Sequence, residues 1–267
     1  MSTDVVIDAL FGPLAAVADE ARWRMEDVPW QTFDRERATP ALQGLAREMA
    51  FSEQATFSAT QRFMQAMPDD VDFTQWLSVW FYEETRHPHV LMRWLSLAGQ
   101  RFDTDFVVRG RVSAPFMKSR TGTLVTNVIS EMAAAQSYLG LARAAPEPLL
   151  AALSERIAAD EARHAASFFR YARRRLERAG DTERERLDAI KVLHFWLNES
   201  DNVTHPVNQM MQKTRTLQPE AGVQVDIPAF RARICATVGQ LVDLPLRSPA
   251  DVPPALTALA TRVHSAA

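Results

Sequence analysis

One phrase occurs twice in this chain, 77 residues apart: Glu83-Glu84-Thr85-Arg86-His87 and Asp160-Glu161-Ala162-Arg163-His164. Residues three apart share a face of an α-helix, so each phrase presents a carboxylate and an imidazole in one direction. The chain has 16 glutamates and 6 histidines in 267 residues. Random placement of those numbers gives about 0.4 Glu-x-x-His pairs, which makes two pairs with matching neighbours a poor accident. Two such helix faces turned toward each other make a metal site.

The rest of the sequence agrees with helices. Only 9 glycines, few alternating β-branched runs and long stretches of 3.6-residue periodicity predict an all-α fold. Helices are expected near 5–25, 41–66, 73–98, 121–143, 148–179, 184–212 and 228–241. Pro68-Asp69-Asp70, Gly99, Pro146, Pro148 and Gly180 punctuate them. Residues 101–120 read as a polar connection long enough for a crossover in a four-helix bundle. One domain is expected over 1–248, its core bundle near 41–179, with 249–267 a loosely attached, proline-containing tail.

A second repeat underlies the first. Glu53 lies 31 residues before Glu84, and Glu131 lies 30 before Glu161. The stretch TGTLVTNVISEMAAAQSYLGLA, 121–142, carries a single charge, Glu131, amid Val128, Ile129, Met132 and Leu139. A helix this apolar is buried, and a buried carboxylate without a partner costs several kcal/mol or becomes protonated. A cation is its most economical partner. Glu53 and Glu131 from two helices, with Glu84/His87 and Glu161/His164 from two others, form the ligand pattern of ferritin-like di-iron and di-manganese bundles. The expected fold is therefore a ferritin-like four-helix bundle with additional N- and C-terminal helices. Four carboxylates and two imidazoles suit two iron ions, with manganese or a mixed iron/manganese pair also accommodated.

Supporting roles follow from pseudo-symmetry. A ligating histidine donates its other N–H to a carboxylate, so Asp160 is expected to orient His87 and Glu83 to orient His164. Arg86 and Arg163 then balance surplus carboxylate charge; surface ion pairing is the plainer alternative for all four. His89, His194, His205 and His264 have no acid at i±3 and read as satisfied or surface histidines. Met49, Phe57, Phe63, Trp80, Leu91, Phe168 and Tyr171 fall at helical spacings near the ligands, as core or as lining of an apolar channel.

The segment EETRHPHVLMRWLSLAG, 83–99, together with IAADEARH, 157–164, resembles the soluble acyl-acyl carrier protein desaturases, whose first motif runs EExRHxxLLxxYLxLxG. Weaker similarity covers SEQA at Glu53, SEMA at Glu131 and Trp30, and the whole spans about residues 25–215. The resemblance implies metal ligation by Glu53, Glu84, His87, Glu131, Glu161 and His164, with Asp160 and Trp30 on an electron path. It also implies a homodimer, a ferredoxin-type donor and a fatty-acyl chain on acidic acyl carrier protein. Two departures stand out. Ala134 replaces the threonine that the family carries three residues after the ligand matched by Glu131, and Pro88 follows His87 directly, predicting a kink. Ala134 keeps other oxidations open, namely hydroxylation, N-oxygenation and aldehyde deformylation. A non-catalytic iron-handling protein is a further alternative, as is a reductase subunit with Tyr138 as its radical residue.

Composition sets the remaining bounds. A net charge of -3 gives no general attraction to nucleic acid or an anionic membrane, and no 18-residue apolar run predicts membrane insertion. The single cysteine, Cys235, excludes an internal disulfide, and the first residues lack a signal-peptide pattern, so the expected location is cytoplasmic. Arg170, Arg173, Arg174, Arg175 and Arg178 make a basic cluster able to steer an acidic carrier. A solvated helix end explains the same residues.

Overall fold

The computed structural model describes residues 10–112, 118–198 and 205–265, and every regular element among them is helical. The helices are α1 (Phe11–Ala21), α2 (Pro40–Ser52), α3 (Ala55–Ala66), α4 (Val71–Leu97), α5 (Thr104–Gly110) and α6 (Arg120–Ala144). They continue with α7 (Pro148–Arg178), α8 (Thr182–Leu197), α9 (Pro206–Thr214), α10 (Leu217–Glu220), α11 (Ile227–Leu241) and α12 (Val252–Ser265). None is long and apolar enough to cross a membrane. The chain groups into two compact units. The first holds 1–114, 137–160 and 205–224, and the second 115–136, 161–204 and 225–267; α6 and α7 contribute residues to both.

In the first unit α4 is the central helix, packed by α1, α2 and α3. Its apolar face, Phe73, Trp76, Leu77, Trp80, Leu91, Trp94 and Leu95, is buried. Burial of each such side chain contributes about 1.5–3 kcal/mol before the entropy of ordering is subtracted. Phe63 of α3 sets its ring edge-on to both Phe73 and Trp80, at 5.6 and 5.8 Å. Carboxylates tie the helix starts. Asp70 accepts from Phe73 N at the head of α4, and buried Asp72 accepts from Leu10 N and Phe11 N at the head of α1. Fully buried Glu147 accepts from Leu149 N and Leu150 N at the start of α7, and from Asp34 N and Trp94 Nε1. That one side chain fixes α7, the N-terminal approach and α4 together.

In the second unit α8 packs against α11 and α12. Leu187, Ile190, Leu193, Ile234, Val238, Leu241, Val252 and Leu259 form its buried core. Arg262 of α12 donates to Glu183 of α8 at 2.7 Å.

Several expectations need correction. The helix expected over 41–66 is interrupted: α2 ends at Ser52 and α3 begins at Ala55. Across the interruption the bonds tighten to the i→i−3 type, with Gln54 N to Phe51 O at 3.2 Å and Thr56 N to Glu53 O at 3.3 Å. The helix expected over 184–212 is α8 and α9, which flank 199–204, outside the described residues; Asn198 leaves α8 in an extended conformation and Pro206 opens α9. The expected tail is instead α12 on α8, because Pro253 and Pro254 stand in its first turn, where a missing N–H costs nothing. The connection at 101–120 contains α5, with 113–117 outside the described residues. α4 runs from Val71 to Leu97 without interruption at Pro88. The helix expected over 5–25 is α1, which stops at Ala21; Arg22 turns extended and buried Trp23 follows.

Candidate metal centre

The first unit assembles three of the expected ligands. Glu53 caps the C-terminus of α2 at the interruption, while Glu84 and His87 lie one turn apart on α4. One donor atom from each lies within 4.8 Å of the others. His87 is fully buried; its Nδ1 is 3.7 Å from Glu53 Oε2 and 3.9 Å from Glu84 Oε1. The other oxygen of each carboxylate meets a hydroxyl. Tyr138 donates to Glu53 Oε1 at 2.6 Å, and Thr56 donates to Glu84 Oε2 at 2.8 Å.

On its other side His87 Nε2 is 3.2 Å from Oδ2 of Asp160, a fully buried carboxylate, as pseudo-symmetry predicts. With the proton on Nε2 for that bond, the Nδ1 lone pair faces two carboxylate oxygens. Three electron-rich groups then converge at distances too long for hydrogen bonds. A divalent cation satisfies all three at once. The donor set of two oxygens and one nitrogen suits iron or manganese.

Asp160 has two further partners. Trp23 Nε1 donates to the same oxygen at 2.9 Å, and Arg86 Nη2 lies 3.4 Å from it. Arg86 also donates to Trp23 O at 2.5 Å, stacks over the Trp23 ring at 4.4 Å and approaches Glu83 at 3.8 Å. Burial pulls the Arg86 guanidinium below its ordinary range, against the opposing pull of Asp160 and Glu83. Glu83 is thus an ion-pair partner of Arg86, with Arg22 at 4.0 Å.

Trp30 is placed otherwise than expected. Its Nε1 donates to Met25 O at 3.1 Å and its ring lies under Arg93 at 4.0 Å. The indole on Asp160 belongs to Trp23, seven residues earlier. Both tryptophans stand in the N-terminal approach, and the early end of α1 at Ala21 brings Trp23, which the sequence reading did not single out, to Asp160.

The second unit repeats the ligand set. Glu131 of α6, Glu161 and His164 of α7 are buried, and one donor atom from each lies within 4.8 Å of the others. His164 Nδ1 is 3.7 Å from Glu131 Oε2 and 3.8 Å from Glu161 Oε2, the same spacing as in the first unit. Arg163 is partly exposed on α7.

The sequence of the chain matches the family described as Fatty acid desaturase over residues 51–193. The chain belongs to the fatty acid desaturase family. That segment carries all six predicted ligands. None of the curated proteins matches the sequence. Among solved structures, a variant of an R2-like ligand-binding oxidase with an anaerobically reconstituted Mn/Fe cofactor is 13% identical with a TM-score of 0.60. A second variant, with an aerobically reconstituted Fe/Fe cofactor, is also 13% identical with a TM-score of 0.58. Each alignment covers 90% of this chain and 94% of the other. The fold is accordingly the ferritin-like all-α fold, and the family is one of oxidoreductases. Each unit thus contains a carboxylate–histidine set whose donors could hold a metal ion.

The arginine cluster on α7 is largely spent inside the second unit. Arg173 pairs with Asp243 at 2.9 Å and Glu177 at 3.1 Å, and Arg175 pairs with Glu185 at 3.0 Å. Arg174 is buried, stacked on Tyr171 at 4.7 Å. Arg170 and Arg178 remain exposed. Met49, Phe63, Trp80, Leu91, Phe168 and Tyr171 are buried core residues, while Phe57 is partly exposed and sits edge-on to Phe81 at 5.0 Å.

Proposed function

We propose that this protein is a di-iron, dioxygen-dependent oxidase of a fatty-acyl substrate, with acyl-acyl carrier protein desaturation as its reaction. The observation that carries the reading is the duplicated set of two carboxylates facing an imidazole Nδ1, within a chain of the fatty acid desaturase family. Glu53, Glu84 and His87 would hold one ion, and Glu131, Glu161 and His164 the other. When bound, the ion pair supplies the activation of dioxygen needed to break an unactivated C–H bond.

The protein's own groups do the rest. Asp160 would keep the His87 proton on Nε2 and its lone pair on the ligand side, and Arg86 pairs with Asp160 at 3.4 Å. Trp23, joined to Asp160 and through it to His87, replaces Trp30 as the aromatic residue of the electron path. Electrons would come from an external ferredoxin-type donor. The acyl chain would arrive on acyl carrier protein, and a homodimer is the proposed assembly. Of the α7 arginine cluster, Arg170 and Arg178 are the exposed members that would meet an acidic carrier.

Ala134 supports a second reading in which the same centre hydroxylates or otherwise oxidises its substrate. Metal analysis after replacing Glu131 and His164, followed by mass spectrometry of acyl-carrier products under reductant and oxygen, tests both. Two ions per chain in the double variant would refute the ligand assignment. A product lighter by about 2 mass units marks desaturation, and one heavier by about 16 marks hydroxylation.

A further inference from the structure

We infer that Thr56 and Tyr138 are positioning residues of the metal centre, dictating which oxygen Glu53 and Glu84 present beside His87. This rests on the di-metal reading above and deepens it. In the first unit the two oxygens of each carboxylate have separate partners. Glu53 Oε1 takes the Tyr138 hydroxyl and its Oε2 faces His87; Glu84 Oε2 takes the Thr56 hydroxyl and its Oε1 faces His87. Both hydroxyl residues are buried, Tyr138 at 1% and Thr56 at 7% exposure, so neither is replaced by bulk water. A carboxylate held this way offers one oxygen to an ion. Turning it to offer both costs a buried hydrogen bond to a charged group.

The backbone explains why Thr56 reaches the site. It is three residues after Glu53, across the interruption where the chain adopts i→i−3 bonds. In such a turn side chains at i and i+3 eclipse, which brings the threonine onto the face of the glutamate. The matching position in the other ligand set is three residues after Glu131, and it is Ala134, between Ala133 and Ala135. Whatever else holds Glu131, that position brings it no hydroxyl. Tyr138, seven residues after Glu131 on the same helix, gives its hydroxyl to Glu53. The sequence thus repeats the ligand glutamate but not the threonine three residues after it.

Full-length metal-free protein titrated with Mn(II), followed by electron paramagnetic resonance of free and bound ion, tests the assignment without any turnover. The native protein should take two ions in two resolved steps. In the Thr56→Val, Tyr138→Phe double variant at least one step should weaken by about 10- to 100-fold. Thr56→Ser with Tyr138 intact should keep the native step, which a merely structural role of the threonine methyl would not predict. Two unchanged steps in the double variant would overturn the inference. Tyr138→Phe alone, which preserves the ring, gives the same reading if the double variant unfolds. A native protein that binds no Mn(II) would instead remove the metal reading on which the inference stands.

Discussion

Gly110 ties the position of Glu53 to a surface helix, and replacing it with alanine should disturb the metal site from outside. A Cβ at this position would fall 2.7 Å from both Phe51 O and Gln54 Cβ, and 2.9 Å from Gln54 Cγ. Ordinary contact begins near 3.4 Å, so either α5 or the α2–α3 interruption must move by roughly 0.7 Å. The Phe51 carbonyl has little freedom, because it accepts from Gln54 N within the tightened turn. Alanine gains at most about 1 kcal/mol in helix propensity, and less at the last residue of α5. Overpacking costs about 1–3 kcal/mol, which leaves a net loss of roughly 1–2 kcal/mol. For a chain of this size that lowers the melting temperature by roughly 2–8 °C. Glu53 is the residue that follows Ser52 into the interruption, and a functional constellation tolerates only about 0.5 Å of displacement. Gly110→Ala should therefore lose metal from one position, measured as ions per chain after dialysis, alongside the fall in melting temperature. Arg109→Ala is the control: its side chain is exposed and pairs with Asp105, so it should leave both readouts within about 0.5 kcal/mol of native. A Gly110→Ala protein that melts with the native and keeps two ions would refute the coupling.

Trp23→Phe should slow reduction of the metal-loaded protein by an external one-electron donor while Trp30→Phe leaves it unchanged, as followed by stopped-flow absorbance; the opposite order would return the electron path to Trp30. Asp160→Asn removes the charge that Arg86 faces at 3.4 Å and leaves Glu83 at 3.8 Å. It should destabilise the fold by about 3 kcal/mol, the low end for breaking a buried ion pair, in chemical denaturation; a loss below about 1 kcal/mol would mean the pair is not holding Arg86. Glu147→Gln keeps the shape of a carboxylate with four donors around it and loses the charge at the head of α7. A loss of about 1–3 kcal/mol is expected in the same measurement, and an unchanged midpoint would show that packing alone fixes the helix.

The long helices were legible in the sequence because their signals are local. Expected spans of 73–98, 121–143 and 148–179 became α4, α6 and α7 with ends shifted by two residues at most. The clustering of the candidate residues was legible for the same reason: Glu-x-x-His is a spacing within one turn, and Glu131 is the single charge between residues 121 and 142. What sequence reasoning missed depends on contacts between distant segments. The interruption at Glu53 has neither glycine nor proline to announce it and is matched to Gly110. Thr56 reaches Glu84 across 28 residues, and Tyr138 reaches Glu53 across 85. α12 was hidden by its own prolines, which mark a tail by composition but a helix start by position.

The Trp23 correction shows how one local difference propagates into chemistry. Continuing α1 to residue 25 would carry Trp23 on a helical face, and the bond to Asp160 would then need another indole. The chain instead leaves the helix at Arg22, whose ψ of 115 is extended. That turn delivers the Trp23 carbonyl to Arg86 and its Nε1 to Asp160 from a single residue. Asp160 and Glu161 then divide the work of α7, since neighbours on a helix point about 100° apart. The first supports His87 and the second stands beside His164. Asp160 lies between the His87 imidazole and the Arg86 guanidinium, and Glu83 approaches the same guanidinium nitrogen from α4, so one arginine draws both leading acids together.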